Sequence, residues 1–147
     1  MWRVVNVVDA LITGRPPRVI ERRFGWLRDM GYAVEESGWR GMELYATYAS
    51  KGVLVRVLDD YHYGSVGVWL ARDSTGEGDW VGSDVGLEQL LAMRAPGVRW
   101  DPNYDIDARS AGEAKLTEAA RLLREHCVDL LRGENLDVLA REMGHPA

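Results

Sequence analysis

Acidic, imidazole and phenolic side chains crowd into one short run of this chain, Asp59-Asp60-Tyr61-His62-Tyr63. Carboxylates beside a histidine can ligate a divalent cation or exchange protons with a substrate. Glu43 joins them if the flanking segments pair as strands, because the register derived below sets Glu43 opposite Asp60. Like charges facing across a strand pair repel unless a proton, a cation or a basic side chain lies between them. Glu43, Asp60 and His62 are therefore the candidate metal ligands, and Asp59 and Asp60 the candidate acid–base groups. The plainer reading leaves them at the solvated end of a hairpin, where repulsion is slight. It is favoured, because metal sites usually recruit several ligands and only one histidine is near.

Asp101, Asn103, Asp105 and Asp107 place oxygen ligands at alternate positions, as a calcium loop does. The match fails where Ile106 stands for the glycine of the sharp turn and where Gly112 stands for a bidentate Glu. A polar loop capped by Ser110 is expected instead. Cys127 is expected on the apolar side of a helix, and His126 points about 100° away around it, so the two form no dyad there. The chain has no phosphate loop, dinucleotide fingerprint, Cys-x-x-Cys pair or nucleophile elbow, and His145 falls near its end. No catalytic residue is assigned and no cofactor is expected.

A surface offers more. Tyr45, Thr47, Arg56 and Trp69 are expected on one face of a sheet, with Tyr61, His62 and Tyr63 along its rim. Tyr, Trp and Arg dominate binding hot spots because they offer large area with a polar handle. A competing reading lays a helix on this face to bury Leu54, Leu58 and Trp69. Both stand, since the chain holds helices enough for two faces.

The element that must position these groups runs from Met42 to Ala71. Met42–Ser50, Val53–Asp60 and Ser65–Ala71 are β-rich runs separated by Lys51-Gly52 and by Tyr61–Gly64, the pattern of an antiparallel meander. A two-residue first turn sets Ser50 against Val53, Tyr48 against Val55 and Ala46 against Val57. An even second loop sets Val57 against Val68 and Val55 against Leu70. Because side chains alternate, Met42, Leu44, Ala46, Tyr48, Val53, Val55, Val57, Val66, Val68 and Leu70 share one apolar face that must be covered.

Around the meander, helical spacing is read over Trp2–Ile12 and from Pro17 to about Met30, with Gly31 as a stop. Tyr32–Glu36 reads as a fourth strand, followed by a loop at Ser37-Gly38. Asp73–Gly82, which carries Trp80, reads as an exposed loop, and Val85–Arg94 as a short helix. Ser110 with Glu113 has capping-box spacing and opens a long helix that Gly133 closes; Leu136–Met143 forms the last. The expected fold is α+β, a four-stranded antiparallel sheet with flanking N- and C-terminal helices, in a single domain over residues 1–147.

Composition narrows the partners. A net charge of −5 argues against nucleic acid, whose binding rests on Lys/Arg neutralisation of phosphate. The lone Cys127 suits a reducing cytoplasm, and no run is long enough to span a bilayer. Asn6 and Asp9 interrupt the apolar N-terminal run, unlike a signal peptide.

The run Phe24–Tyr32, the meander with Gly64 at its tip, the Leu90-Leu91…Arg94 helix and the helix ending Leu130–Gly133 resemble, as a layout, small bacterial α+β proteins, some of them immunity proteins that neutralise polymorphic toxins. The resemblance implies a non-enzymatic, intracellular protein-binding module that masks a partner; it carries over no individual residue. The alternatives are a metal-binding or hydrolase-like protein using the hairpin-tip carboxylates and His62, and a homo-oligomeric building block.

Overall fold

The computed structural model describes residues 17–50, 52–72 and 84–142. The helix read over Trp2–Ile12, Lys51 of the first turn, Trp80 and its loop, Met143 and His145 lie outside them.

Two short helices lead, α1 (Arg18–Phe24) and α2 (Trp26–Asp29), with Gly25 between them. They fill the span expected for one helix. Four long strands follow, β1 (Ala33–Arg40), β2 (Glu43–Ser50), β3 (Val53–Asp60) and β4 (Ser65–Arg72), and then the short β5 (Val85–Gly86). The chain ends in α3 (Leu87–Arg94), α4 (Ala111–His126), α5 (Val128–Leu131) and α6 (Leu136–Glu142).

Among the described residues the sheet is antiparallel, in the order β1-β2-β3-β4-β5, with five strands where four were expected. Val85 and Gly86 pair with Leu70 and Trp69, residues read from sequence as the start of a helix. The meander register is as expected: Tyr48 pairs with Val55, Ala46 with Val57, Val57 with Val68 and Glu43 with Asp60. Ser37-Gly38 is a correction. Ser37 pairs with Ala46 and Gly38 with Tyr45, so this stretch is strand, beyond a register shift between Val34 and Glu36. The open edge of β2 supplies partners that outweigh the weak strand propensity of Ser and Gly.

Leu44, Ala46, Tyr48, Val55, Val57, Val66, Val68 and Leu70 form one buried cluster with Ile20, Phe24, Leu27, Leu90, Leu116 and Leu123 of the helices. Full burial of each large aliphatic side chain is worth roughly 1.5–3 kcal/mol, which is why the helices gather on this face. The other face is closed along its middle, where Tyr45, Thr47, Leu54 and Ala71 are buried. None of these four belongs to the helix-packed cluster.

Two helix-end expectations fail. Ser110 sits in the left-handed region (φ 62) and makes no side-chain cap, so the capping box with Glu113 does not form. The preceding segment is pinned to β4, with Val66 N–H donating to Pro102 O and Tyr104 N–H to Gly64 O, and it reaches the helix from a direction that excludes the box geometry. The long helix also breaks at Cys127 (φ −129, ψ 18) instead of running to Gly133. Arg94 stabilises the break from outside: it donates to the His126 carbonyl at 2.8 Å and forks onto the Asp129 carboxylate.

Candidate functional site

The β1–β2 and β3–β4 turns lie side by side, joined by a hydrogen bond from Tyr61 N–H to Met42 O at 3.0 Å. Against them rests the segment that leads to α4. Asn103 bridges to Ser65, and a β-carbon added at Gly64 would stand 2.5 Å from Ile106 Cγ2. Three segments far apart in sequence thus meet at one end of the sheet.

Between them opens a groove of about 770 Å³, within the usual range for ligand pockets, roughly 300–1,000 Å³. Trp39 and Tyr61 form one wall, their rings 5.3 Å apart and tilted by 32°. Tyr104 and Ile106 form another, and Arg18, Arg22 and Arg109 stand at the mouth with the first turn of α4. Among the described residues, three of the four exposed large apolar side chains lie at this end of the sheet. Met42 (50% exposed), Ile106 (53%) and Tyr63 (77%) all belong to these three segments. Contiguous exposed apolar surface marks binding sites more often than scattered side chains do.

Under the groove lies a polar pair. Asp59 faces the core side of the sheet between Leu44 and Val66 and is 1% exposed. Its Oδ1 accepts a hydrogen bond from the Tyr104 hydroxyl at 2.6 Å. Burial, and then the bond to this carboxylate, raise the Tyr104 pKa well above the ordinary phenol value. Gly112 allows close approach here, for a β-carbon on it would lie 3.3 Å from Asp59 Oδ2. The carboxylate therefore sits at the start of α4, where the helix dipole favours negative charge.

The expected site residues separate into two groups. Tyr61, His62 and Tyr63 are at the sheet end, with the His62 and Tyr63 rings edge-to-face at 4.5 Å. Tyr45, Arg56 and Trp69 lie on the second face of the sheet. Tyr45 is buried, donates to Glu36 at 3.2 Å and carries the Arg40 guanidinium 4.9 Å above its ring. Trp69, half-buried, lies flat across Gly67, where a β-carbon would come within 2.1 Å of the ring. Of the candidate metal ligands, Glu43 and Asp60 are paired across β2 and β3. Asp60 Oδ1 accepts the backbone N–H groups of His62 (2.8 Å) and Tyr63 (3.2 Å), so it caps its own turn. Asp59 points to the opposite side from Asp60, as alternation along a strand demands. Among the described residues, no group of three or more His, Cys, Asp or Glu side chains could hold a metal ion.

Sequence reasoning missed Trp39, Met42, Tyr104 and Ile106 as neighbours. Met42, expected on the buried face of the meander, is 50% exposed at its end beside the β1–β2 turn, and no local spacing connects it with Tyr104.

The architecture is α+β, a five-stranded antiparallel meander with helices packed on one face and a groove at the end that carries its turns. Comparison with family models, with curated proteins and with solved structures finds no match. Among the described residues, no helix is long and apolar enough to cross a membrane.

Proposed function

We propose that this chain is a non-enzymatic protein-binding module that masks a partner protein inside the cell, in the manner of the immunity proteins its layout resembles. One observation carries the reading: Met42 and Ile106 are exposed in the lining of a groove walled by Trp39 and Tyr61. Large side chains that remain wet in one contiguous patch cost solubility, and a partner that covers them recovers their burial energy. The turns that present them are held rigidly by strand pairing and by the 102–104 segment. Little ordering cost would then oppose association.

The test is affinity capture from the native host with wild-type protein and with Met42→Asp and Ile106→Asp. A protein held by the wild type and lost from both variants, whose circular dichroism stays unchanged, is the expected result. A protein retained equally by all three, or none captured at all, counts against the reading.

A further inference from the structure

The overall charge of −5 points toward a basic partner, yet the cations of the sheet end are arranged otherwise. Among the described residues, three guanidinium groups line the groove, Arg18, Arg22 and Arg109, against two carboxylates, Asp107 and Glu113, and the carboxylates just outside it serve the chain's own turns. Asp60 caps the β3–β4 turn, Asp101 Oδ1 accepts from the Asn103 backbone and side-chain amides, and Asp105 Oδ1 accepts from Asp107 N–H. Glu113 stands 3.8 Å from Arg22. Arg18 and Arg109, by contrast, line the groove without an ion-pair partner among the described residues. Arg18 lies one turn from Arg22 on α1, so the two guanidinium groups rise from one side of that helix. Arg109 approaches from the opposite element, just ahead of α4.

We infer that the groove receives an acidic segment of the partner, an aromatic or large apolar side chain flanked by carboxylates. The apolar side chain would lie against Trp39, Tyr61 and Met42. The carboxylates would meet Arg18 and Arg109, which suit forked recognition of such groups. This assignment rests on the protein-binding reading and deepens it by naming the chemistry of the partner segment. A basic segment would bring like charges together at the mouth and leave both arginines uncompensated.

The probes are short peptides, which separate this assignment from the broader reading because they need no native partner. Protein labelled with carbon-13 at its methionine methyl groups is titrated with Ac-Asp-Phe-Glu-NH2 and with Ac-Lys-Phe-Lys-NH2, and the Met42 resonance is identified from Met42→Leu. The acidic peptide is expected to shift the Met42 methyl in a saturable way, and the basic one to bind more weakly. The double variant Arg18→Glu/Arg109→Glu, which alters only exposed side chains, is expected to weaken the acidic peptide about tenfold or more, with circular dichroism unchanged. Added salt should weaken it too. Stronger binding of the lysine peptide, equal binding by the double variant, or no Met42 shift with either peptide overturns the assignment. If the capture experiment still succeeds after such an outcome, the protein-binding reading survives without it.

Discussion

Asp59 shows how much one side chain's direction decides. Its neighbour Asp60 lies on the other side of the strand and caps a turn, whereas Asp59 enters the core beneath Tyr104. A carboxylate 1% exposed depends on its donors, because an unpaired buried polar group carries its full desolvation cost. Tyr104→Phe removes the hydroxyl that donates at 2.6 Å and is expected to lower unfolding free energy by about 1–3 kcal/mol. Urea denaturation measures this; an unchanged midpoint would mean the hydroxyl stabilises nothing here.

At the scale of elements, the 101–110 segment is held as a partial strand beside β4, and Gly64 is the close contact that seats it. Gly64 has φ 71, and an added β-carbon would come 2.4 Å from Tyr104 O and 2.5 Å from Ile106 Cγ2. Gly64→Ala therefore combines left-handed strain with a backbone clash. The expected loss is about 2–4 kcal/mol, read from chemical denaturation. Hydrogen exchange should show the Tyr104 and Val66 amides losing protection before the β2–β3 amides do. Equal protection in variant and wild type would contradict this seating. Legibility followed the same division. The meander and its register were readable because Val53, Val55, Val57, Val66 and Val68 alternate within a few residues of their turns. Ser37-Gly38 as strand and Val85-Gly86 as edge were not, for their pairing depends on partners supplied by distant chain.

For the molecule as a whole, pH should bound stability from both sides. The Arg94 guanidinium, through its hydrogen bonds, holds the Asp129 carboxyl well below the usual carboxylate range. A depressed folded pKa means the folded state binds this proton less readily than the unfolded chain. Its contribution is thus complete above the unfolded value of about 4 and is lost as pH falls further. At the other end, burial raises Tyr32, raises Tyr48 with help from Glu21, and pushes Cys127 up to about 11. Here the folded state holds the proton more tightly. Stability is complete below the unfolded values, about 8.5 for the thiol and about 10 for the phenols, and falls as pH rises past them. Urea midpoints should be level between about pH 5 and 8 and decline on either side, with a shallower acid limb for Asp129→Asn. A flat profile from about pH 8 to 11 would contradict the alkaline half.

The amino-acid order alone determined the antiparallel ribbon and the face it must bury, while the choice of helices that cover that face was left to the tertiary structure. Ribbon and face follow from the period of apolar side chains over a short stretch. Only the tertiary structure decided the groove. Trp39 comes from β1 and Met42, Tyr61, Tyr104 and Ile106 from separate turns and loops, and they meet because Asn103 bridges to Ser65 and Gly64 leaves room for Ile106. No periodicity records such a meeting, since it arises from the packing of whole elements and not from the preference of any one of them.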